Sequence, residues 1–246
     1  MSVTIDRTTN TPKRVVMVVA NPTVSELTGW PIGFWAGELV HPWCEFREAG
    51  YDVTVASPDG GRVEIDFLSD PRHELRYSAE DVLTRGFLED PDLVMILDDT
   101  AKLADLDLEV FDALVVCGGQ APMYQFRGNA DLQRVIAAFY EAEKPTAALC
   151  HGVSALLDVT LADGSRLIDG KTMTGFSDRE EDAADAAAGR QIQPWRIEDE
   201  ARRAGARYVE GGVWKPFAVR DGRLITGQQQ YSGRKVAELV IAALGQ

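Results

Sequence analysis

Short, continuous apolar runs alternate with segments of helical spacing along this chain, and this alternation constrains the fold most. The runs occupy 14–20, 51–56, 111–117 and 145–149. Apolar runs without polar alternation are typical of parallel strands that are buried on both faces. Residues 33–50, 130–143 and 233–244 have the apolar spacing of helices. The pattern predicts an α/β fold in which helices cover both faces of a mostly parallel sheet.

The remaining segments add smaller elements to this plan. Residues 62–107 are polar, acidic and weakly periodic, which predicts an excursion of short helices outside the sheet. Residues 171–176 predict a further strand, and 179–204 a charged helical stretch interrupted by Gly189 and Pro194. An Asp-Gly pair within 219–226 predicts a hairpin. We expect residues 1–13 to be a disordered tail and 14–246 to be a single domain.

Composition excludes several classes of function. The formal net charge of −14 disfavours nucleic acid as a partner, because phosphate binding needs a basic face. No apolar run approaches the roughly 20 residues of a membrane span, and the polar start has no signal segment. We therefore expect a cytoplasmic protein with no membrane contact.

Bound metals and nucleotide cofactors are also unexpected. The chain has three cysteines, far apart, which form neither a disulfide framework nor a metal-ligand cluster. The sequence has no dinucleotide-binding fingerprint and no Walker-type phosphate loop. The prediction is a protein without cofactor and without metal.

Cys150 and His151 stand where the run at 145–149 stops and a small-residue helical segment begins. This position predicts a strand-to-helix corner like the nucleophile elbow of hydrolases, with the helix end lowering the pKa of the thiol. The alternative interpretation is that Cys150 is a small core residue, since unpaired cysteines are often buried. Cys44 and Cys117 are interpreted as packing residues.

The number and positions of the histidines limit the classes of cysteine enzyme to which this chain can belong. Only His41, His73 and His151 are present, and none follows residue 151. A class I glutamine amidotransferase has a cysteine elbow on a similar sheet but needs a histidine well downstream of it. The glutaminase interpretation therefore fails. His41 is interpreted as a packing or hinge residue and His73 as solvent-facing.

Five motifs follow the order and spacing of a known superfamily, from about residue 14 to the C-terminus. They are FWAGELVHPW at 34–43, ASPDGG at 56–61, the glycine pair at 118–119, ALCHG at 148–152 and GKTMTGF at 170–176. In these motifs the chain resembles the DJ-1/PfpI superfamily, which has a flavodoxin-like sheet. It is most similar to the heat shock protein 31-like branch of glutathione-independent glyoxalases and chaperones.

The resemblance implies a role for four residues. Cys150 would be the nucleophile, Glu38 the carboxylic acid that hydrogen-bonds the thiolate, His151 its catalytic neighbour and Glu181 the acid that orients the histidine. Glu38 also stands alone in an apolar, small-residue stretch, where burial would keep it protonated; the alternative is a surface glutamate. The loop that holds Glu181 offers further acids for the orienting role: Asp178, Glu180 and Asp182.

The implied activity is a cofactor-free conversion of a 2-oxoaldehyde such as methylglyoxal to a 2-hydroxy acid. Backbone N–H groups of the Gly118-Gly119 corner and of His151 would stabilise the oxyanion, and either His151 or Glu38 would move the proton. The partners implied are a small carbonyl or related electrophile and a second copy of the chain in a homodimer.

Two departures from the branch concern the pocket, to which we assign Trp35, Gln120 and Gln229. The Gly-Gly corner continues with Gln120-Ala121-Pro122 where the branch commonly has His-Gly, and residues 228–232 replace its usual Asn-Pro-x-Ser. These changes could alter specificity or shift the reaction towards hydration of another electrophile, as in a hydratase of the wider superfamily. Two further alternatives stay open: a chaperone or oxidative-stress protein, and a peptidase, since the Cys-His pair is shared.

Overall fold

A seven-stranded sheet forms the centre of the computed structural model, which describes residues 11–245. The order across the sheet is β10-β11-β7-β6-β1-β4-β5, and all neighbours are parallel except β10 and β11. The strands of this sheet are β1 Arg14–Val18, β4 Asp52–Ser57, β5 Ala101–Lys102, β6 Ala113–Val116, β7 Thr146–Leu149, β10 Ala218–Asp221 and β11 Leu224–Gly227.

Two small sheets and eight α-helices complete the described architecture. The small sheets pair β2 Thr23–Val24 with β3 Pro31–Ile32, and β8 Thr172–Met173 with β9 Arg207–Tyr208. The helices are α1 Ala36–Glu48, α2 Val82–Glu89, α3 Pro91–Val94, α4 Pro122–Gln125, α5 Ala130–Glu141, α6 Asp178–Ala188, α7 Ile197–Arg203 and α8 Gly233–Ala243. Among the shorter 3-10 helices are Phe67–Ser69, Cys150–Leu156 and Gln230–Ser232.

The two faces of the sheet bury two separate hydrophobic clusters. Along β1, Val15 and Met17 pack into one cluster while Val16 and Val18 pack into the other. Side chains alternate between the faces of a strand, so a strand covered on both faces is apolar at every position. Side chains from α1 and α8 complete the first cluster, and side chains from α5 complete the second. The predicted α/β fold is confirmed.

Most predicted elements lie within a few residues of their observed bounds. The helix predicted over 33–50 spans Ala36–Glu48, followed by Gly50 with φ +79°. The charged stretch at 179–204 contains α6 and α7, separated where Gly189 and Pro194 interrupt it. The Asp221-Gly222 pair closes the β10–β11 hairpin, with Gly222 at φ +64°.

The prediction that residues 62–107 stay outside the sheet is wrong at one point. Ala101 and Lys102 form β5, the edge strand beside β4. A two-residue strand is too short to show a period in sequence, and tertiary pairing decides it. The rest of the excursion contains α2, α3 and several 3-10 turns, as expected.

The predicted tail falls largely outside the described residues, which begin at 11. Lys13, assigned to that tail, already joins the fold. Its carbonyl accepts a hydrogen bond from the Asp52 N–H, and its ammonium lies 3.0 Å from Asp112. No helix among residues 11–245 is long and apolar enough to cross a membrane.

Candidate active site

Cys150 occupies a tight corner directly after β7. Its φ of +54° is left-handed, a conformation that L-residues seldom adopt. Two glycines make this corner possible. A Cβ on Gly152 would lie 2.6 Å from the Val116 carbonyl oxygen, and one on Gly118 would lie 2.7 Å from the His151 nitrogen. The ends of β6 and β7 therefore approach too closely for any larger residue, and the sulfur is held at the carboxyl edge of the sheet.

His151 links Cys150 to an acid on α6. Its Nδ1 lies 3.6 Å from the Cys150 sulfur, and its Nε2 lies 2.9 Å from Glu181 Oε1. Phe176 stacks on the imidazole with ring centroids 4.3 Å apart. When Nε2–H donates to the Glu181 carboxylate, the lone pair of Nδ1 faces the sulfur. The ring is thus held both at its edge and on one face.

The neighbouring acid Glu180 stabilises the start of α6 and does not bind the histidine. Its carboxylate accepts from the Ser177 hydroxyl and N–H, from the Gln228 amide and from the Trp214 N–H. The Ser177–Glu180 pair is a capping box that begins α6. This cap directs the next residue, Glu181, towards the histidine, and among the four acids considered it is Glu181 that binds the imidazole.

Glu38 lies in the first turn of α1 and is fully buried. Its Oε2 accepts a hydrogen bond of 2.7 Å from the Gly118 N–H. Burial raises the pKa of Glu38 to about 8, although its contact with Cys150 and the Gly118 hydrogen bond oppose the rise. At neutral pH the carboxyl group is mostly protonated, as expected for a lone acid in an apolar stretch.

The expectation that the helix end gives Cys150 a lowered pKa is wrong in its net direction. Burial and the nearby Glu38 raise that pKa, while the backbone N–H groups of His151 and Gly119 lower it. The segment after Cys150 is a seven-residue 3-10 helix, so it has no long helix dipole to oppose burial. Because two buried negative charges repel, a thiolate at Cys150 requires a proton on Glu38.

Two backbone N–H groups of the 118–120 corner are bound to buried acids: Gly118 donates to Glu38 Oε2 and Gln120 to Asp66 Oδ2. The N–H of Gly119, between them, lies near the Cys150 sulfur and lowers the pKa of that thiol. Gly119 has φ +112°, and a Cβ there would lie 2.4 Å from the Trp35 nitrogen. The Gly118 N–H is bound to Glu38 in this structure, and its oxyanion role stays a prediction. The N–H groups of Gly119 and His151 remain at the sulfur.

A groove of about 490 Å³ lies next to this corner. Trp35 lines it, as predicted, and stands edge-to-face with Tyr77 at 5.9 Å. Burial raises the pKa of Tyr77, and the charges of Tyr231 and Cys150 add to the rise, as expected for a phenol close to the site. Cys150 itself is 2% exposed and is not one of the residues that line the groove.

The other two predicted pocket residues do not line the groove. Gln120 is buried against Asp66, and Gln229 is buried as the cap of the 3-10 helix Gln230–Ser232. The next residues, Gln230 and Tyr231, line the groove instead. Capping of this 3-10 helix requires the side chain of Gln229 to turn back on the backbone, which the sequence alone does not show.

Two residues of the excursion were missed by sequence reasoning. Tyr77 and Asp66 both come from the segment that lacks periodicity, where local pattern carries little information. Among residues 11–245, no group of three or more His, Cys, Asp or Glu side chains is arranged to hold a metal ion. The absence of metal and cofactor stays a prediction.

His41 lies outside the cysteine site. Its Nε2 is 3.0 Å from both carboxylate oxygens of Asp81, and it connects α1 to the residue that caps α2. His73 is partly exposed and packs against Phe67, with centroids 5.4 Å apart.

A corner cysteine with a histidine beside it, at the carboxyl edge of a parallel sheet, is the site expected of the superfamily named above. The chain belongs to the DJ-1/PfpI family, whose pattern matches residues 32–243.

Characterised relatives place it near one branch of that family. Glyoxalase 3 of Candida albicans is 30% identical over 224 residues, which cover 87% of this chain and 91% of the relative. Glutathione-independent glyoxalase HSP31 of Saccharomyces cerevisiae is 27% identical, with 95% of this chain and 98% of the relative covered. The crystal structure of glyoxalase III from Candida albicans superposes with a TM-score of 0.79 at 28% identity, covering 94% and 97% of the two chains. The resemblance to the HSP31-like branch is confirmed.

Proposed function

We propose that this protein is a glutathione-independent glyoxalase that converts a 2-oxoaldehyde such as methylglyoxal to the 2-hydroxy acid. The names of its relatives support this assignment. The observation that carries it is the buried arrangement of Cys150, His151 and Glu181, with a protonated Glu38 that also interacts with Cys150. This arrangement has a nucleophile, a proton carrier and a fixed proton donor.

The first step is addition of the Cys150 sulfur to the aldehyde carbon. A C–S bond forms, and the carbonyl π electrons move to oxygen, which becomes an oxyanion. The backbone N–H groups of Gly119 and His151, which lower the pKa of Cys150, are placed to stabilise that charge. His151 Nδ1, 3.6 Å from the sulfur, takes the thiol proton as the C–S bond forms and returns it to the oxyanion, which gives a neutral hemithioacetal.

The second step moves a proton from the former aldehyde carbon to its neighbour through an enediol. We assign this transfer to His151, because its Nδ1 is 3.6 Å from the sulfur and its Nε2 is held by Glu181. Glu38 is a poor base while it is protonated, and its Oε2 is bound to Gly118. The product is a thioester of the 2-hydroxy acid with Cys150.

In the last step water hydrolyses the thioester. The acyl–sulfur bond breaks, the 2-hydroxy acid leaves and the thiol is restored. The overall reaction adds one water to methylglyoxal and gives lactate, so no oxidant or reductant is consumed.

The test is lactate formation from methylglyoxal without glutathione and with a metal chelator. The wild type is compared with Cys150→Ser and Glu38→Gln. We expect turnover by the wild type that disappears in Cys150→Ser. A folded wild type that forms no lactate, while Cys150 still reacts with an alkylating agent, would refute the substrate assignment.

Apolar exposure around the groove favours a chaperone activity as a second candidate. Tyr77, Val82, Leu83 and Tyr231 all line the groove, and each is at least 40% exposed. Suppression of aggregation of a client protein would test it. That activity should survive Cys150→Ser, whereas the glyoxalase activity should not.

The family resemblance also supports a homodimer and a cytoplasmic location. Light scattering after gel filtration would test the first, and localisation of a tagged chain the second.

A further inference from the structure

Asp66 is a completely buried carboxylate behind the 118–120 corner. Its Oδ2 accepts a hydrogen bond of 2.7 Å from the Gln120 N–H. Its Oδ1 accepts from the Gly33 N–H at 3.1 Å and from the Gln120 amide at 3.4 Å. All three partners are donors, so the site requires an acceptor at both oxygens. A carboxylate in this position satisfies them, and an amide would turn an NH2 group towards a donor.

These bonds fix the peptide that presents the Gly119 N–H to the sulfur. Glu38 holds the preceding N–H, of Gly118, and Asp66 holds the following one, of Gln120. A glycine at φ +112° has no side chain to restrain it. The Trp35 N–H holds the Gly118 carbonyl of the same peptide at 3.0 Å, and the two carboxyl groups hold the peptides on either side. Asp66 is therefore one of three groups that set the orientation of this oxyanion donor.

The segment 66–69 also fixes the start of α1, the helix that carries Glu38. The Ala36 N–H donates to the Ser69 hydroxyl at 3.0 Å, and that hydroxyl donates to the Asp66 carbonyl at 2.7 Å. The Asp66 N–H in turn donates to the Phe34 carbonyl. Asp66 thus contacts both chain segments that present the acid and the oxyanion donor.

Two titratable groups of the site face Asp66. Glu38, on α1, is held more strongly in its protonated form by the like charge of Asp66. His151, after β7, favours the charged form of Asp66. Burial raises the pKa of Asp66 to about 6, so at neutral pH it is mostly charged despite its position.

We propose that Asp66 is a positioning residue for this reaction: it orients the Gly119 N–H towards the reacting atoms, and its negative charge holds the proton on Glu38. The catalytic consequence rests on the proposed glyoxalase function. The effect of Asp66 on the ionisation of Cys150 and Glu38 does not rest on that function, and it can be measured without any substrate.

The test compares Asp66→Asn with the wild type and with Asp98→Asn, which removes an exposed carboxylate from the same excursion. One measurement is kcat/KM for methylglyoxal between pH 5 and 9. The other is the rate of Cys150 alkylation by iodoacetamide over the same range, followed on the peptide by mass spectrometry so that Cys44 and Cys117 do not contribute.

We expect Asp66→Asn to lower kcat/KM about tenfold at pH 7, since a charge-assisted hydrogen bond in the site is lost. Without the charge of Asp66, Glu38 ionises at lower pH and competes with the thiolate. The alkylation profile should therefore level off at lower pH than in the wild type, and at a lower plateau. Asp98→Asn should match the wild type in both assays.

Asp66→Glu keeps the charge but displaces it. We expect this variant to lose rate while its alkylation midpoint stays at that of the wild type, and it serves as the test if Asp66→Asn does not fold. A loss of rate in Asp66→Asn with no shift of either pH profile would overturn the proposal, because a structural defect alone would give that result. If the wild type forms no lactate, the proposed function fails, and the alkylation profile still decides the role of Asp66.

Discussion

The buried acid Glu38 should make the stability of this protein depend on pH in a defined window. In the unfolded chain its carboxyl group loses its proton near the ordinary pKa of 4.5, whereas in the folded protein the pKa is about 8. Between these values the folded protein retains a proton that the unfolded chain has released. The free energy of unfolding therefore decreases as pH rises from 4.5 to 8, and this penalty is absent below 4.5.

Replacing Glu38 by glutamine removes the titration and keeps the shape of the protonated acid. The glutamine oxygen can accept from the Gly118 N–H as Oε2 does, and its NH2 can donate to the residue at 150. We compare Cys150→Ser with Cys150→Ser/Glu38→Gln, because a thiol could itself supply the proton and hide the effect. The variant with glutamine should be more stable by about 3 kcal/mol at pH 7 and by less than about 1 kcal/mol at pH 5.

Urea unfolding followed by tryptophan fluorescence at pH 5, 6, 7 and 8 measures this difference. Glu48→Gln in the same serine background is the matched control, since Glu48 is exposed on the same helix. It should change stability by no more than about 0.5 kcal/mol at any of these pH values. A stability gain for Glu38→Gln that is the same at pH 5 and pH 8 would refute the reasoning.

Three further predictions concern the histidine and the elbow. Glu181→Gln should lower kcat for methylglyoxal about 100-fold, because a neutral amide replaces the negative charge that stabilises the protonated imidazole. The exposed Asp182→Asn should stay within about twofold of the wild type, and equal losses would argue against an orienting acid. Phe176→Leu should lower kcat by up to about tenfold because an aromatic stack on the imidazole is lost, and an unchanged kcat would show that Glu181 alone holds the ring. Gly152→Ala should lower the melting temperature by several degrees, since the new Cβ would lie 2.6 Å from a carbonyl oxygen of β6. Gly86→Ala, which has open space around it in α2, should not lower the melting temperature. Calorimetry of both variants measures the difference.

Much of the site was predictable because its residues stand at fixed points of a repeating architecture. A strand that ends at 149 and a helical segment that follows it place Cys150 at the carboxyl edge of a parallel sheet. Glu38 was recognisable as a lone acid in an apolar stretch, and in the structure it is fully buried. His151 was predictable because it directly follows the cysteine in the chain.

Side-chain direction was not predictable in the same way. Glu180 and Glu181 are adjacent, and the capping box of α6 decides that one binds Ser177 while the other binds the histidine. Gln229 was predicted to line the pocket, but its side chain caps the 3-10 helix Gln230–Ser232, and Gln230 lines the groove instead. Local pattern cannot separate neighbours whose difference is a rotation about the backbone.

The sequence by itself determined the layers of this protein: apolar runs for buried strands, helical spacing for the covering helices, and glycine where strands 6 and 7 approach the elbow. Hydrophobic periodicity and residue size are local properties, so both can be read directly from the sequence. Only the tertiary structure decided the electrostatics of the site. The pKa of Glu38, the pKa of Cys150 and the place of Asp66 all depend on burial and on charges brought together from segments 28 to 112 residues apart. Because a charge responds to the space around it rather than to its neighbours in the chain, those properties appear only once the chain has folded.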